Sequence, residues 1–111
     1  QDDVLFGGAG FDTLIGSTGN DTLTGNFNAD TFLFADFGGG FGRDVITDFT
    51  ATNNFERIDL RFVSAIESYG DLVENHLSQN GSDAVIDAGN GNVITLLDVS
   101  VDDLTLSNFI F

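Results

Sequence analysis

The residues best placed to do chemistry are aspartates at a fixed interval. Asp3, Asp12, Asp21 and Asp30 follow one another at nine-residue steps, and Asp44 resumes the series after an insertion around Ala35 to Gly38. An ionised carboxylate only accepts hydrogen bonds and is a hard oxygen ligand. Repeated beside glycine in turns, it suits a hard cation such as Ca²⁺. Four of the aspartates are the sixth residue of a unit that opens on glycine: Gly7-Gly8-Ala9-Gly10-Phe11-Asp12, Gly16-Ser17-Thr18-Gly19-Asn20-Asp21, Gly25-Asn26-Phe27-Asn28-Ala29-Asp30 and Gly39-Gly40-Phe41-Gly42-Arg43-Asp44. Asp3 belongs to the end of an earlier copy.

These carboxylates need elements to hold them. The first six residues of each unit read as a turn, since glycine supplies left-handed backbone. The last three (Thr13-Leu14-Ile15, Thr22-Leu23-Thr24, Thr31-Phe32-Leu33) are β-prone. Alternation along a strand sends each middle residue inward. Two units make one flattened coil of a solenoid, with Leu5, Leu23 and Ile46 on one wall and Leu14 and Phe32 on the other. Loops two units apart then stack on the same edge. Asp3, Asp21 and Asp44 form one row, Asp12 and Asp30 the second. Stacked like charges repel unless a cation lies between them. With no Cys and His76 as the single histidine, an all-oxygen ligand set selects Ca²⁺ over transition metals, and over Mg²⁺ with its strict octahedral demand. At least three ions are expected. A coil with so few inward residues does not offset the entropy of ordering its backbone, so metal binding becomes part of the folding free energy.

Composition narrows the partners. The 111 residues hold 18 acidic side chains (15 of them Asp) against 3 basic ones, a net charge of −15, with 14 Gly and no Pro, Cys, Met or Trp. That balance excludes nucleic acid and anionic lipid as natural partners. No apolar run approaches the ~18 residues of a membrane span. The chain opens on Gln1-Asp2-Asp3 without a signal peptide or initiator Met, and reads as a piece of a larger parent. No catalysis by this chain is expected, because Gly-x-Ser-x-Gly and His-Glu-x-x-His are absent. Acids are so frequent that a pair such as Asp87 and Asp98 arises by chance.

The period stops after residue 47. Ser68-Tyr69-Gly70-Asp71 reads as a helix start with Ser68 as N-cap, with Tyr69, Leu72, Val73, His76 and Leu77 on one face and Gly81 as the stop. Ala84-Val85-Ile86-Asp87 and Asn92-Val93-Ile94-Thr95-Leu96-Leu97 read as strands around an Ala88-Gly89-Asn90-Gly91 turn. Phe109-Ile110-Phe111 reads as a final core strand.

The nonapeptide resembles the calcium-binding repeat of the RTX (repeats-in-toxin) family. Residues 7–12 and 39–44 fit the Gly-Gly-x-Gly-x-Asp loop throughout; 16–21 lacks one glycine, and Asn26 and Asn28 replace two in 25–30. The resemblance implies an all-β, right-handed parallel β-roll (a β-helix-like solenoid) over residues 1–48. A C-terminal β-sandwich-like cap with one short helix follows over 49–111. It also implies calcium ligands: the carbonyls of positions one to four and the carboxylate of position six. These are Gly7, Gly8, Ala9, Gly10 and Asp12; Gly16, Ser17, Thr18, Gly19 and Asp21; Gly25, Asn26, Phe27, Asn28 and Asp30; Gly39, Gly40, Phe41, Gly42 and Asp44; and Asp3. The stretch Asp44 to Phe49, with Glu56-Arg57-Ile58-Asp59-Leu60, is similar to the segment closing the β-roll of serralysin-type proteases. It offers Asp48 and Glu56 as ligands of a last site, Glu56 standing where the family usually has Asp. The apolar ending is similar to the C-termini of type I-secreted proteins, with Asn108 in place of the usual acid. The resemblance thus implies a secretion and stabilising module of an extracellular protein of a Gram-negative bacterium, partnered by the parent's N-terminal domains and a type I exporter. Two alternatives are a polysaccharide-binding module, for which Arg43, Arg57 and Arg61 are the only basic side chains available, and a self-associating repeat displaying Phe6 and Phe11.

Overall fold

A computed structural model of the chain describes residues 1–53 and 56–111. Among the described residues, ten strands follow in chain order: β1 Val4–Phe6, β2 Thr13–Ile15, β3 Thr22–Thr24, β4 Thr31–Ala35, β5 Arg43–Ile46, β6 Arg57–Phe62, β7 Leu77–Asn80, β8 Asp83–Gly89, β9 Asn92–Leu96 and β10 Phe109–Ile110. They form two sheets, ordered β1-β3-β5-β9-β8-β7 and β10-β6-β4-β2. Successive repeats alternate between the sheets, as three-residue strands joined by six-residue turns must. Leu5 pairs with Leu23 and Leu23 with Ile46 on one wall, while Leu14 pairs with Phe32 on the other. Leu23, Phe32 and Ile46 are wholly buried. The fold is the all-β parallel roll expected from the repeats.

The end of the repeat is not the end of the roll. β9 pairs in parallel with β5, β6 with β4 and β10 with β6. Both sheets therefore run across the boundary expected at 48/49. One apolar cluster extends from Leu14 through Phe34, Ile58 and Ile94 to Phe109, so the core is deeper than the repeats alone provide. Only β7 and β8 turn antiparallel. They finish the first sheet with a hairpin, which covers the row of unpaired backbone groups that the last coil would leave.

The helical segment is shorter than its sequence pattern. Helix α1, Tyr69–Asp71, starts where the Ser68 hydroxyl accepts from the Asp71 N–H at 3.1 Å. Over Leu72–His76 the turn widens, and the Leu77 N–H reaches back five residues to the Leu72 carbonyl. Leu72 is buried and Tyr69 and Leu77 pack against the core, while Val73 is left exposed, so of the five expected residues Val73 falls off the shared face. Leu77 begins β7, and Gly81 occupies the two-residue turn of the β7–β8 hairpin (Asn80 opposite Asp83) instead of ending a helix. His76 is tied by Nδ1 to the Asp87 carbonyl at 2.7 Å. The β8–β9 hairpin turns on Asn90 (φ 55°) and Gly91 (φ 82°), the pair of left-handed residues that a type I′ turn requires.

Candidate metal centre

The turns of the roll lie along two edges. The first holds residues 1–3, 16–21 and 39–44; the second holds 7–12 and 25–30, followed by Asp48 and Glu56. On the first, the Asp21 Oδ1 accepts from the Asp3 N–H at 2.7 Å, and the Asp44 Oδ1 from the Asp21 N–H at 2.8 Å. On the second, the Asp30 Oδ1 accepts from the Asp12 N–H at 3.0 Å. One carboxylate oxygen of each therefore stitches its loop to the preceding loop on that edge.

The other oxygen has no protein partner. Oδ2 of Asp12, Asp21, Asp30 and Asp44 and Oε1 of Glu56 are all buried without a hydrogen bond. A single unsatisfied buried polar atom costs about 1–3 kcal/mol, and a charged one more. The backbone is shaped around these same atoms. A Cβ at Gly16 or Gly25 would collide with the Oδ2 of Asp21 or Asp30 in its own loop, and one at Gly7 would stand 2.9 Å from the Asp12 Oδ2 and 2.8 Å from the Gly25 carbonyl. Position-one glycine is thus required by close approach, not by dihedral angle. At positions two and four the backbone is left-handed, which Ser17 (φ 68°), Asn26 (φ 69°) and Asn28 (φ 78°) adopt in place of glycine. Carbonyls also line up along the edge: the Gly19 oxygen abuts Gly42, and the Gln1 oxygen abuts Gly19.

Electrostatics agree with the geometry. Burial, with the negative charge of Asp21 beside it, pushes the Asp44 carboxyl up to about 7. Burial, with Asp48 and Asp30 nearby, does the same to Glu56, also to about 7. Asp30 is shifted upward as well, by burial and by Asp12 and Asp48. Carboxyls that resist ionisation while their oxygens lack donors fit a site completed by a cation. No three acidic or imidazole groups converge as a ready-made cluster among the described residues, so loop carbonyls must supply the remaining oxygens. That donor set fits Ca²⁺.

The remaining expected ligands are distributed unevenly. Asp3 is exposed, and Gly8, Ala9, Gly10, Ser17, Thr18, Asn26, Phe27 and Asn28 lie at exposed loop tips. Phe41 is buried against Phe34, with ring centroids 5.2 Å apart. Gly39 departs from the other position-one glycines: it ends a 3₁₀ turn, Phe37–Gly39, has φ 105° and presses on no carboxylate. Asp48 accepts from the N–H groups of Gly25 (3.0 Å) and Asn26 (2.7 Å), and Glu56 is buried close to it. Asp59 is held instead by Arg61 at 2.7 Å.

Two features escaped sequence reasoning. The Asn92 Oδ1 accepts from Phe41 N–H at 3.0 Å and Gly42 N–H at 3.1 Å, and so closes the last loop of the first edge. Its signal is the echo between Asn92-Val93-Ile94-Thr95 and Asp44-Val45-Ile46-Thr47. The strands nevertheless pair two residues out of that alignment, with Asp44 beside Ile94. The second is a ladder at position five of the first edge, where Asp2 accepts from Asn20 N–H and Asn20 from Arg43 N–H, both at 2.8 Å.

Stacked glycine–aspartate turns with unpartnered carboxylate oxygens, set between two parallel sheets, define a calcium-binding β-roll. Comparison with known proteins agrees: residues 1–32 match the family model of the RTX calcium-binding nonapeptide repeat (4 copies). The crystal structure of the extracellular lipase LipA from Serratia marcescens superposes on 99% of the chain at 30% sequence identity, with a TM-score of 0.72. This chain spans 19% of that lipase's length. No curated protein matches the sequence.

Proposed function

We propose that this chain is the C-terminal calcium-folded module of a larger extracellular protein. It stays unfolded where free calcium is scarce and closes into the roll after export. The observation that supports this most directly is the set of five buried carboxylate oxygens without partners, on both edges of the roll. Ca²⁺ bound between stacked loops would be held by Asp3, Asp21 and Asp44 on the first edge. Asp12, Asp30, Asp48 and Glu56 would hold it on the second, each with position-one to position-four carbonyls. At least three ions would be bound. Without them, the unpaired charges oppose closure; with them, binding adds directly to folding.

The likeness to an extracellular lipase supports the compartment, and the apolar ending supports export through a type I exporter. That ending is also structural. Phe109 is buried, pairs with Ile58 and contacts the rings of Tyr69 and Phe111. The test is circular dichroism of the chain against free Ca²⁺: strand signal should appear with calcium and vanish in chelator. A full strand signal in excess chelator would overturn the reading. Export is tested separately by comparing deletion of residues 109–111 with Phe109→Leu, which keeps an apolar strand. Secretion lost only in the deletion supports a terminal signal, and unchanged secretion in both removes it.

A further inference from the structure

The second edge carries a cleft that calcium binding does not account for. A cavity of about 540 Å³ opens beside the loops 7–12 and 25–30, lined by Phe11, Asn26, Phe27, Asn28, Thr50 and Glu56. Its volume is far larger than an ion needs and lies within the ~300–1,000 Å³ of small-ligand sites. Phe11 and Phe27 are 82% and 83% exposed, the two most exposed large apolar side chains among the described residues. Their counterparts on the first edge are different: position five there carries Asp2, Asn20 and Arg43 in a hydrogen-bonded ladder, and the position-three Phe41 is buried. Phe6 and Phe37 are exposed elsewhere, at 69% and 67%. Among the described residues, only Phe11 and Phe27 are exposed rings that share one concave site with polar side chains, which marks it as a place where something docks.

We infer that this cleft binds a neutral saccharide. Phenyl faces suit the C–H face of a pyranose ring, while the Asn26 and Asn28 amides and the Thr50 hydroxyl suit its hydroxyls. Among the described residues no Lys, Arg or His lines the cleft, and the chain carries −15, so uronic and sulfated sugars lack a counter-charge. A protein partner is disfavoured by size: stable interfaces bury ~800 Å² on each side, whereas this is a concave site with two aromatic anchors. The inference uses the calcium reading only to the extent that loops 7–12 and 25–30 must be stacked for the cleft to exist.

The experiment is a titration of the calcium-loaded 111-residue chain, followed by amide NMR shifts and calorimetry. The probes are soluble cello-, chito- and malto-oligosaccharides, an alginate oligosaccharide as the anionic control, and circular dichroism reports folding in every sample. Saturable binding of at least one neutral series, with shifts at residues 26–29, is expected. Phe27→Ala and Phe11→Ala should each weaken it at least tenfold, and Phe11→Ala, outside every calcium ligand set, should leave the calcium midpoint of folding unchanged. No neutral binding to a chain shown to be folded overturns the inference, as does undiminished binding in the double variant or preferential binding of alginate. Calcium-dependent dimerisation lost in Phe27→Ala also overturns it, by assigning the cleft to a second copy. A chain folded without calcium would defeat the metal reading and leave the saccharide titration fully interpretable.

Discussion

The two edges of the roll are built from the same nonapeptide and end differently. On the first, every loop is joined to its neighbour twice, by a position-six carboxylate and by a position-five side chain. That row closes on a neutral amide, Asn92, delivered by the hairpin. On the second, position five is Phe11 or Ala29, which can form no such ladder. Its last loop is met by two acids, Asp48 and Glu56. A row ending in an amide needs no further cation, whereas one ending in the buried, unpartnered Glu56 carboxylate calls for one more. Repeat symmetry therefore sets where the loops lie, and the non-repeating coils decide what each row finally binds.

The largest effects should come from carboxylates interior to each row. Asp21 accepts from the Asp3 N–H and donates its own N–H to Asp44, while Asp30 lies between Asp12 and the Asp48–Glu56 pair. Asp21→Ala and Asp30→Ala should each raise the calcium midpoint of folding at least tenfold, against less than twofold for the exposed Asp3→Ala, read by circular dichroism. Equal shifts for Asp3 and Asp21 would mean that the loops do not share ions.

The closing residues separate the edges more sharply. Glu56→Gln should lower calcium stoichiometry by one ion in calorimetry, because it removes a charge from the end of the second row. Asn92→Ala should leave stoichiometry unchanged and cost roughly 1–3 kcal/mol in calcium, through the buried Phe41 N–H and the half-buried Gly42 N–H left unpaired. Loss of an ion in Asn92→Ala would erase the distinction drawn between the edges.

Proton dependence should have opposite signs with and without metal. Asp44 on one edge and Glu56 on the other titrate near 7 in the folded chain, above the ordinary values of 3.8 and 4.5. A raised folded pKa favours the protonated folded state, so metal-free stability is fully present below the unfolded values and lost as pH rises through about 7. Calcium displaces those protons, so its apparent affinity should climb over the same interval. Circular dichroism of chelated samples checks the first sign, any residual partial strand signal being greater at mildly acid than at mildly alkaline pH; calcium titrations at the same two values check the second.

Much of this was legible beforehand because the determinants are local. The nine-residue period fixes strand alternation and loop stacking, and with them Leu23 beside Ile46 and Asp12 beside Asp30. Asn92 was not legible, since it acts over a separation of 50 residues and in a register shifted from its sequence echo. The pattern from Tyr69 to Leu77 misled for a related reason: its spacing suits a regular helix, but pairing of Leu77 with Ile86 draws the segment's end into the sheet. Exposure of Phe27 and burial of Phe41, both at position three, depend on what packs above each loop.

The smallest expected effect tests whether the loops follow backbone need or glycine as such. Ser17 holds φ 68° at position two, where Gly8 and Gly40 hold 85° and 95°. Left-handed backbone costs a non-glycine residue of order 1–3 kcal/mol, less where a short polar side chain bonds locally. Ser17 is exposed, so Ser17→Gly changes little beyond dihedral freedom. It should stabilise the calcium-loaded roll by up to about 1 kcal/mol, partly offset by the greater entropy of the unfolded chain. Asn26→Gly on the second edge should gain less, because asparagine tolerates this conformation better than serine. Thermal midpoints of both variants in saturating calcium give the comparison. Destabilisation by Ser17→Gly would show that the hydroxyl itself matters on the first edge, and that the row depends on more than the repeat's backbone.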